Sequence, residues 1–260
     1  MPADPLLEVR NLEKSWFRRR WFGPPTKLHT ALAGVSFTLD AGRTLALIGE
    51  SGCGKSTLAR CLAQFETPTG GEIRFEGAAL APTHRPRIQL IFQQPGASLN
   101  PRFTASEIVE EPLVIQGGVA GAERRERAAV ALELAGIARA ALGKRAHEFS
   151  GGERQRLAIA RALVSEPRVV ILDEAFTGLD PSLAWQIGQL LDGLQQRLGV
   201  AYLLISHDLG LVSGMADEIA VMEAGRIVEV GEAGRVTAHP EHPRTRQLIF
   251  AARVLEGGAA

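Results

Sequence analysis

The sequence predicts an α/β fold built on a phosphate-binding core, and three stretches predict it. Leu45-Ala46-Leu47-Ile48 is a short apolar run suited to a buried strand, and a glycine-rich loop follows it at once. Val169-Val170-Ile171-Leu172 is a second such run, closed by the acidic pair Asp173-Glu174. Ala201-Tyr202-Leu203-Leu204-Ile205 is a third, closed by Ser206-His207-Asp208. Buried strands that end in polar residues and continue into helical segments signal an open α/β sheet, which binds ligands at the carboxyl ends of its strands.

The loop is Gly49-Glu50-Ser51-Gly52-Cys53-Gly54-Lys55-Ser56-Thr57. It satisfies G-x-x-x-x-G-K-[ST] at every fixed position, which makes the expected fold that of a P-loop NTPase. Glycines let backbone N–H groups turn toward an anion, and the helix beginning near Lys55 adds the positive end of its dipole. Lys55 is placed to reach the outer phosphates of a nucleoside triphosphate and the Ser56 hydroxyl to hold Mg²⁺. A plain turn needs one or two glycines and has no use for Lys-Ser at a fixed offset.

Length and composition set the frame. The chain has 260 residues, 45% hydrophobic and 22% charged, enough for one large domain or two intimate subdomains. Lys plus Arg and Asp plus Glu number 29 each, so net charge favours neither nucleic acid nor an acidic membrane. Cys53 and Cys61 are too few for a disulfide framework or a metal cage and point to a reducing compartment. Met1-Pro2-Ala3-Asp4 lacks the pattern of a signal peptide, and no apolar run approaches the roughly 20 residues that span a bilayer.

Taken in order, residues 6–48 read as strands. Leu7, Val9 and Leu12 precede Trp16-Phe17, and Val35 to Leu39 alternates with a period of two before the Asp40-Ala41-Gly42 turn. Composition alone places Trp16 in the core. The basic, aromatic segment Arg18 to Pro25 reads as a solvated hairpin tip or a lipid or partner contact. Strands are expected at 72–77 and 87–92, then a mostly helical insertion with segments at 107–112 and 123–134, the latter stopped by Gly136. Leu183, Ile187, Leu191, Leu194 and Leu198 mark one face of a helix, and Gly225 and Gly231 bound a small hairpin.

Asp173 suits a Mg²⁺ contact and Glu174 the polarisation of an attacking water. Ser150-Gly151-Gly152-Glu153 matches a helix capping box, yet two glycines in a first turn cost about 1 kcal/mol each against alanine and leave room for a phosphate. Asp180-Pro181 matches a helix N-cap followed by proline at the first helical position. Gln93 and His207 each end a strand, where an amide could meet Mg²⁺ or water and an imidazole a γ-phosphate.

Together and in this order, the pieces resemble the ATP-binding cassette family. The glycine loop, Gln93, Phe149 to Arg156, Asp173-Glu174, Thr177-Gly178-Leu179-Asp180 and His207 look like its Walker A, Q-loop, signature, Walker B, D-loop and H-loop. The resemblance implies a RecA-like core with an N-terminal antiparallel β-subdomain and an inserted α-helical signature subdomain. It divides the chain into one nucleotide-binding domain over 6–250, with core and β-subdomain at 6–93 and 167–232, helical subdomain at 94–166, and a tail at 233–260. ATP and Mg²⁺ are the implied cofactors. The implied catalytic residues are Lys55, Gln93, Glu174 and His207, and the implied metal ligands Ser56, Gln93 and Asp173. Nucleotide is held by Gly49 to Thr57, with Ser150, Gly151, Gly152 and Asp180 serving a head-to-tail partner cassette. Val9 to Trp16 looks like the A-loop segment, which makes Trp16 an adenine-stacking platform, with Phe17 as the alternative.

A narrower resemblance is to the ATPases of dipeptide, oligopeptide and nickel importers. Ile91 to Pro95, Ser98 to Arg102, and the tail segment His242-Pro243-Arg244-Thr245-Arg246 carry it, the last similar to a His-Pro-Tyr-Thr-Arg motif. This chain departs at Gln94 for Asp, Glu153 for Gln, Thr177-Gly178 for Ser-Ala, and Arg244 for Tyr, and it lacks the cysteine-rich extension of many members. Peptides and nickel or a metal chelate both stand as the implied solute. The implied partners are a second ATPase, identical or different, two membrane permease subunits docking near Ala97 to Pro112, and indirectly a solute-binding protein, with no nucleic acid. The implied location is the cytoplasmic face of the inner membrane. The alternative is a soluble ATPase or ATP-dependent regulator uncoupled from transport; the stretch from Lys55 to Asp173 lacks the sustained heptads of a chromosome-maintenance ATPase.

Overall fold

A computed structural model describes residues 4–18, 26–92, 99–207 and 209–257. Gln93 and the segments 19–25 and 94–98 lie outside the described residues. The chain divides into two compact units, residues 1–84 with 201–260, and residues 85–200.

The first unit carries two sheets. Strand β1 (Leu7–Arg18) pairs antiparallel with β2 (Thr26–Leu39) and, on its other side, with β4 (Gly70–Phe75), which pairs in turn with the short β5 (Ala78–Ala79). Alternation sets the buried face: Leu7, Val9, Leu12, Val35, Phe37 and Phe75 point inward. The second sheet centres on β3 (Thr44–Gly49), every residue of which is buried. β3 lies parallel between β8 (Ala201–Ser206) and β9 (Glu218–Glu223), and β9 turns through Ala224-Gly225 into antiparallel β10 (Arg226–Glu232). Strands buried on both faces read as unbroken apolar runs, which is why Leu45 to Ile48 and Ala201 to Ile205 were legible. Helix α1 (Lys55–Leu62) follows β3, α6 (Leu209–Ser213) follows β8, and α7 (Ala233–Ala238) and α8 (Pro243–Gly257) form the tail.

The second unit pairs β6 (Ile88–Ile91) in parallel with β7 (Val169–Asp173). Between them in sequence run three helices packed on one another, α2 (Ala105–Gln116), α3 (Gly121–Leu134) and α4 (Gly151–Leu163). The helical insertion expected from sequence is present. Thr104 and Glu107 close a capping box on α2, and Gly136, at φ 76°, follows the end of α3. Helix α5 (Pro181–Leu198) buries Ile187, Leu191 and Leu194, three of the five residues of the expected stripe; Leu198 is exposed at its end. Among the described residues, no helix is long and apolar enough to cross a membrane.

Candidate nucleotide-binding site

Parallel register places two of the expected elements together. Ile48 pairs with Ser206 across β3 and β8, and Gly49 pairs with Met222 across β3 and β9. The glycine loop and His207 therefore leave neighbouring strands at the same carboxyl edge, where α/β sheets take ligands. His207 is exposed there.

The loop's glycines serve different ends. A Cβ on Gly49 would lie 2.3 Å from the Met222 carbonyl oxygen and 2.8 Å from Cys53 Sγ. One on Gly54 would lie 2.3 Å from the Ala31 carbonyl oxygen, and the φ of 113° already excludes an ordinary side chain. Gly52 has φ 83° and nothing within 4 Å of its Cβ position. The ends of the loop are thus pressed between β2 and β9, while its middle faces open space. The chain enters α1 from a left-handed Gly54, which has no side chain to cap the helix. Lys55 is 5% exposed, and its ammonium donates to the carbonyls of Gly49 at 2.7 Å and Glu50 at 2.9 Å. Cys53 Sγ lies 3.7 Å away. Ser56 and Thr57 occupy the next two helical positions.

Trp16 is 40% exposed and Phe17 51%, so the core placement drawn from composition is corrected: both rings end an edge of β1 with a face toward solvent. The Lys14 ammonium lies 4.4 Å from the Trp16 ring centroid while donating to the Thr67 carbonyl and pairing with Glu66 at 3.0 Å. A cation fixed over the ring strengthens the hold on its orientation.

In the second unit, Asp173 ends β7 at 6% exposure. Glu174 follows in a left-handed turn, φ 51°, which swings the chain off the strand end. A non-glycine residue held at positive φ is a local cost of about 1 kcal/mol or more and is a common mark of a functional turn. Sequence reasoning missed what fixes this turn. Gln155, 3% exposed on α4, donates at 2.9 Å to the Ala175 carbonyl, one residue past Glu174. A polar residue on the apolar face of an otherwise regular helix was the available signal.

Ser150 caps α4 with a complete capping box: Glu153 N donates to Ser150 Oγ, and Ser150 N to Glu153 Oε2 at 2.8 Å. The Ser150 backbone N–H foremost, and then the Ser150 hydroxyl, hold the Glu153 carboxyl below its ordinary range. The two glycines behind it divide as the loop's do. A Cβ on Gly151 would meet nothing within 4 Å, whereas one on Gly152 would sit 2.7 Å from Leu183 Cδ1. Gly152 therefore has a packing reason that the sequence did not reveal, and Gly151 has open space where a side chain would stand. Asp180 is the N-cap of α5, accepting from Leu183 N at 2.9 Å, with Pro181 first in the helix. Leu183 thus touches both the signature helix and the D-loop cap.

The donor chemistry fits a magnesium nucleotide. In the first unit Ser56 offers a hydroxyl oxygen of the hard kind that Mg²⁺ takes, beside the open glycine at 52 and a helix start whose cap residue has no side chain. In the second unit, taken by itself, Asp173 offers a carboxylate at the end of β7. Among the described residues, no cluster of His, Cys, Asp or Glu suggests a different metal.

Comparison with known proteins agrees. The ABC transporter family model matches residues 32–177. The chain is 44% identical over 255 residues, 95% of its length, to the dipeptide transport ATP-binding protein DppF of Escherichia coli, covering 76% of that protein. It is 43% identical to the Haemophilus influenzae DppF, covering 95% of this chain and 78% of that one. Among solved structures, cbiO1 of Clostridium perfringens, part of the ABC transporter complex cbiONQ, superposes with a TM-score of 0.78 at 30% identity over 98% of this chain and all of that one. The dimeric cassette MJ0796 bound to ADP and Pi gives 0.72 at 28% identity, over 87% of this chain and 98% of that one. The phosphate loop, the acidic strand end and the capped signature helix belong together in one lineage, and the chain is a member of the ABC transporter family, an ATP-binding cassette that hydrolyses ATP with magnesium.

Proposed function

We propose that this ATPase powers the import of peptides through a separate membrane permease, working at the cytoplasmic face of the inner membrane as one of a head-to-tail pair of cassettes. The observation that carries the reading is the 44% identity, sustained over 95% of the chain, with a protein whose name states dipeptide transport. The same names favour peptides over nickel as the solute. A pair of cassettes is supported by the dimeric state of MJ0796 and by Gly151, an open glycine at a helix start with no use in its own chain's packing.

Within that reading each residue has a task. The amides of Gly49 to Thr57 and the Lys55 ammonium hold the outer phosphates and balance the charge that builds there as the terminal P–O bond breaks. Ser56, Gln93 and Asp173 would hold magnesium, which would supply positive charge against the phosphate oxygens. Glu174 takes the proton of the attacking water as it adds to phosphorus, and ADP leaves with the bonding electrons. His207 hydrogen-bonds the γ-phosphate. Trp16 stacks the adenine, and Ser150, Gly151, Gly152 and Asp180 complete the partner's nucleotide. The segment from Ala97 to Pro112 receives the permease, and the nucleotide-binding domain spans 6–250 with the tail at 233–260. The test is turnover by the chain assembled with its permease pair in lipid vesicles. Peptide delivered by a binding protein should raise ATP hydrolysis severalfold and nickel should not. Hydrolysis indifferent to every peptide tried, or raised by nickel instead, would overturn the reading.

A further inference from the structure

The tail is tied to the phosphate loop through one side chain. Arg244, second residue of α8 and only 14% exposed, forms an ion pair with the Glu50 carboxylate inside the loop. Its Nε lies 3.8 Å from Glu223, the residue after Met222 whose carbonyl backs Gly49. Its Nη1 donates to Gln247 Oε1 at 2.9 Å. The turn that presents Arg244 is itself anchored. Glu229 on β10, 8% exposed, accepts from the backbone N–H of Glu241 at 3.0 Å and His242 at 2.9 Å, and the Arg244 N–H donates to His242 Nδ1. A continuous path therefore runs from β10 through the His-Pro turn to Arg244, from Arg244 to Glu50, and from the Glu50 carbonyl to the Lys55 ammonium. The Arg244 guanidinium is largely sheltered while the Glu50 carboxylate that it pairs with faces solvent, so the tie is a charge contact sheltered on its cationic side.

We propose that Arg244 is a positioning residue for nucleotide binding: by fixing Glu50 it fixes the carbonyl that orients Lys55, so the C-terminal tail sets how readily Lys55 meets the outer phosphates. The proposal rests on the ATPase reading and adds a control point to it. Arg244 stands where the narrower resemblance expects Tyr, so this charged tie is a feature of this chain's own sequence.

The experiment is a double-mutant cycle read by ATP affinity, kcat and KM, with Tm measured alongside. R244M and E50Q should each raise KM for ATP roughly three- to tenfold, R244K should recover part of the loss, and the double variant should be no worse than either single one. A tail that matters only for folding would lower Tm and leave KM unchanged, and that result overturns the proposal. So do single losses that multiply in the double variant. If the unsubstituted chain itself neither binds nor hydrolyses ATP, the ATPase reading falls and the proposal with it; normal turnover with uncoupled substitutions sinks the proposal alone.

Discussion

Gln155 and Ala175 are joined by a buried 2.9 Å hydrogen bond that runs from the signature helix to the turn after Asp173-Glu174. The helix that carries Ser150 and the turn that carries Glu174 therefore share a fixed strut. Replacing Gln155 by Leu keeps the volume and leaves the Ala175 carbonyl unsatisfied, at a cost of about 1–3 kcal/mol. We expect a lower Tm and a fall in kcat larger than the change in ATP affinity. Unchanged kcat in a folded Q155L protein would show that the turn holds without the strut.

Glu174→Gln keeps shape and removes the base. Turnover should fall at least a hundredfold while ATP binding persists, and an ATP-dependent dimer should accumulate on gel filtration. Brisk hydrolysis by this variant would move the base elsewhere.

Trp16→Ala should weaken ATP binding by roughly tenfold, in line with about 1–3 kcal/mol for stacking a base on an aromatic ring, and leave inorganic phosphate analogues unaffected. Titration with ATP and with phosphate separates the two. An unchanged ATP affinity would pass the role to Phe17.

Burial pushes the Cys61 thiol up to about 11, with the nearby Lys14 pulling the other way. The neutral thiol favours the fold below pH 9, and that contribution is lost as pH rises through about 11. Cys61 should resist iodoacetamide in the native protein at mildly alkaline pH and react once denatured. Cys53, 9% exposed against Lys55, should react slowly and more slowly still with ATP. Mass spectrometry reads both; native Cys61 labelled at the denatured rate would refute the buried environment.

Burial works against the Glu229 carboxylate, yet the Glu241 and His242 N–H donors and the positive charge of Arg235 hold it below its ordinary range. Its contribution is therefore present above about pH 4.5 and lost as pH falls through the lower folded value. The gap in Tm between the native chain and E229Q should be widest near neutrality and close in acid. A gap that does not change with pH would mean that the carboxylate's charge contributes nothing.

The strand-forming runs and the phosphate loop were legible because burial on two faces and a fixed motif each leave a strong local trace. Asp180 and Ser150 were legible as caps for the same reason. Trp16 was not, since an aromatic in a strand reads as core until its neighbours are known, and its exposure in the structure corrects that reading. The ties of Gln155, Leu183 and Arg244 left almost no trace, because their partners at Ala175, Gly152 and Glu50 are distant in sequence and are reached by a bond to backbone, a packing contact and an ion pair respectively. The Gln93 expectation lies outside the described residues.

The spacing of Gly49 and Gly54 follows from this packing as much as from nucleotide. Each abuts a carbonyl of a neighbouring strand at a distance that no methyl group survives. A loop-swapping experiment that imports a phosphate loop must import β2 and β9 with it, because the pattern G-x-x-x-x-G describes the wall behind the loop as well as the anion before it.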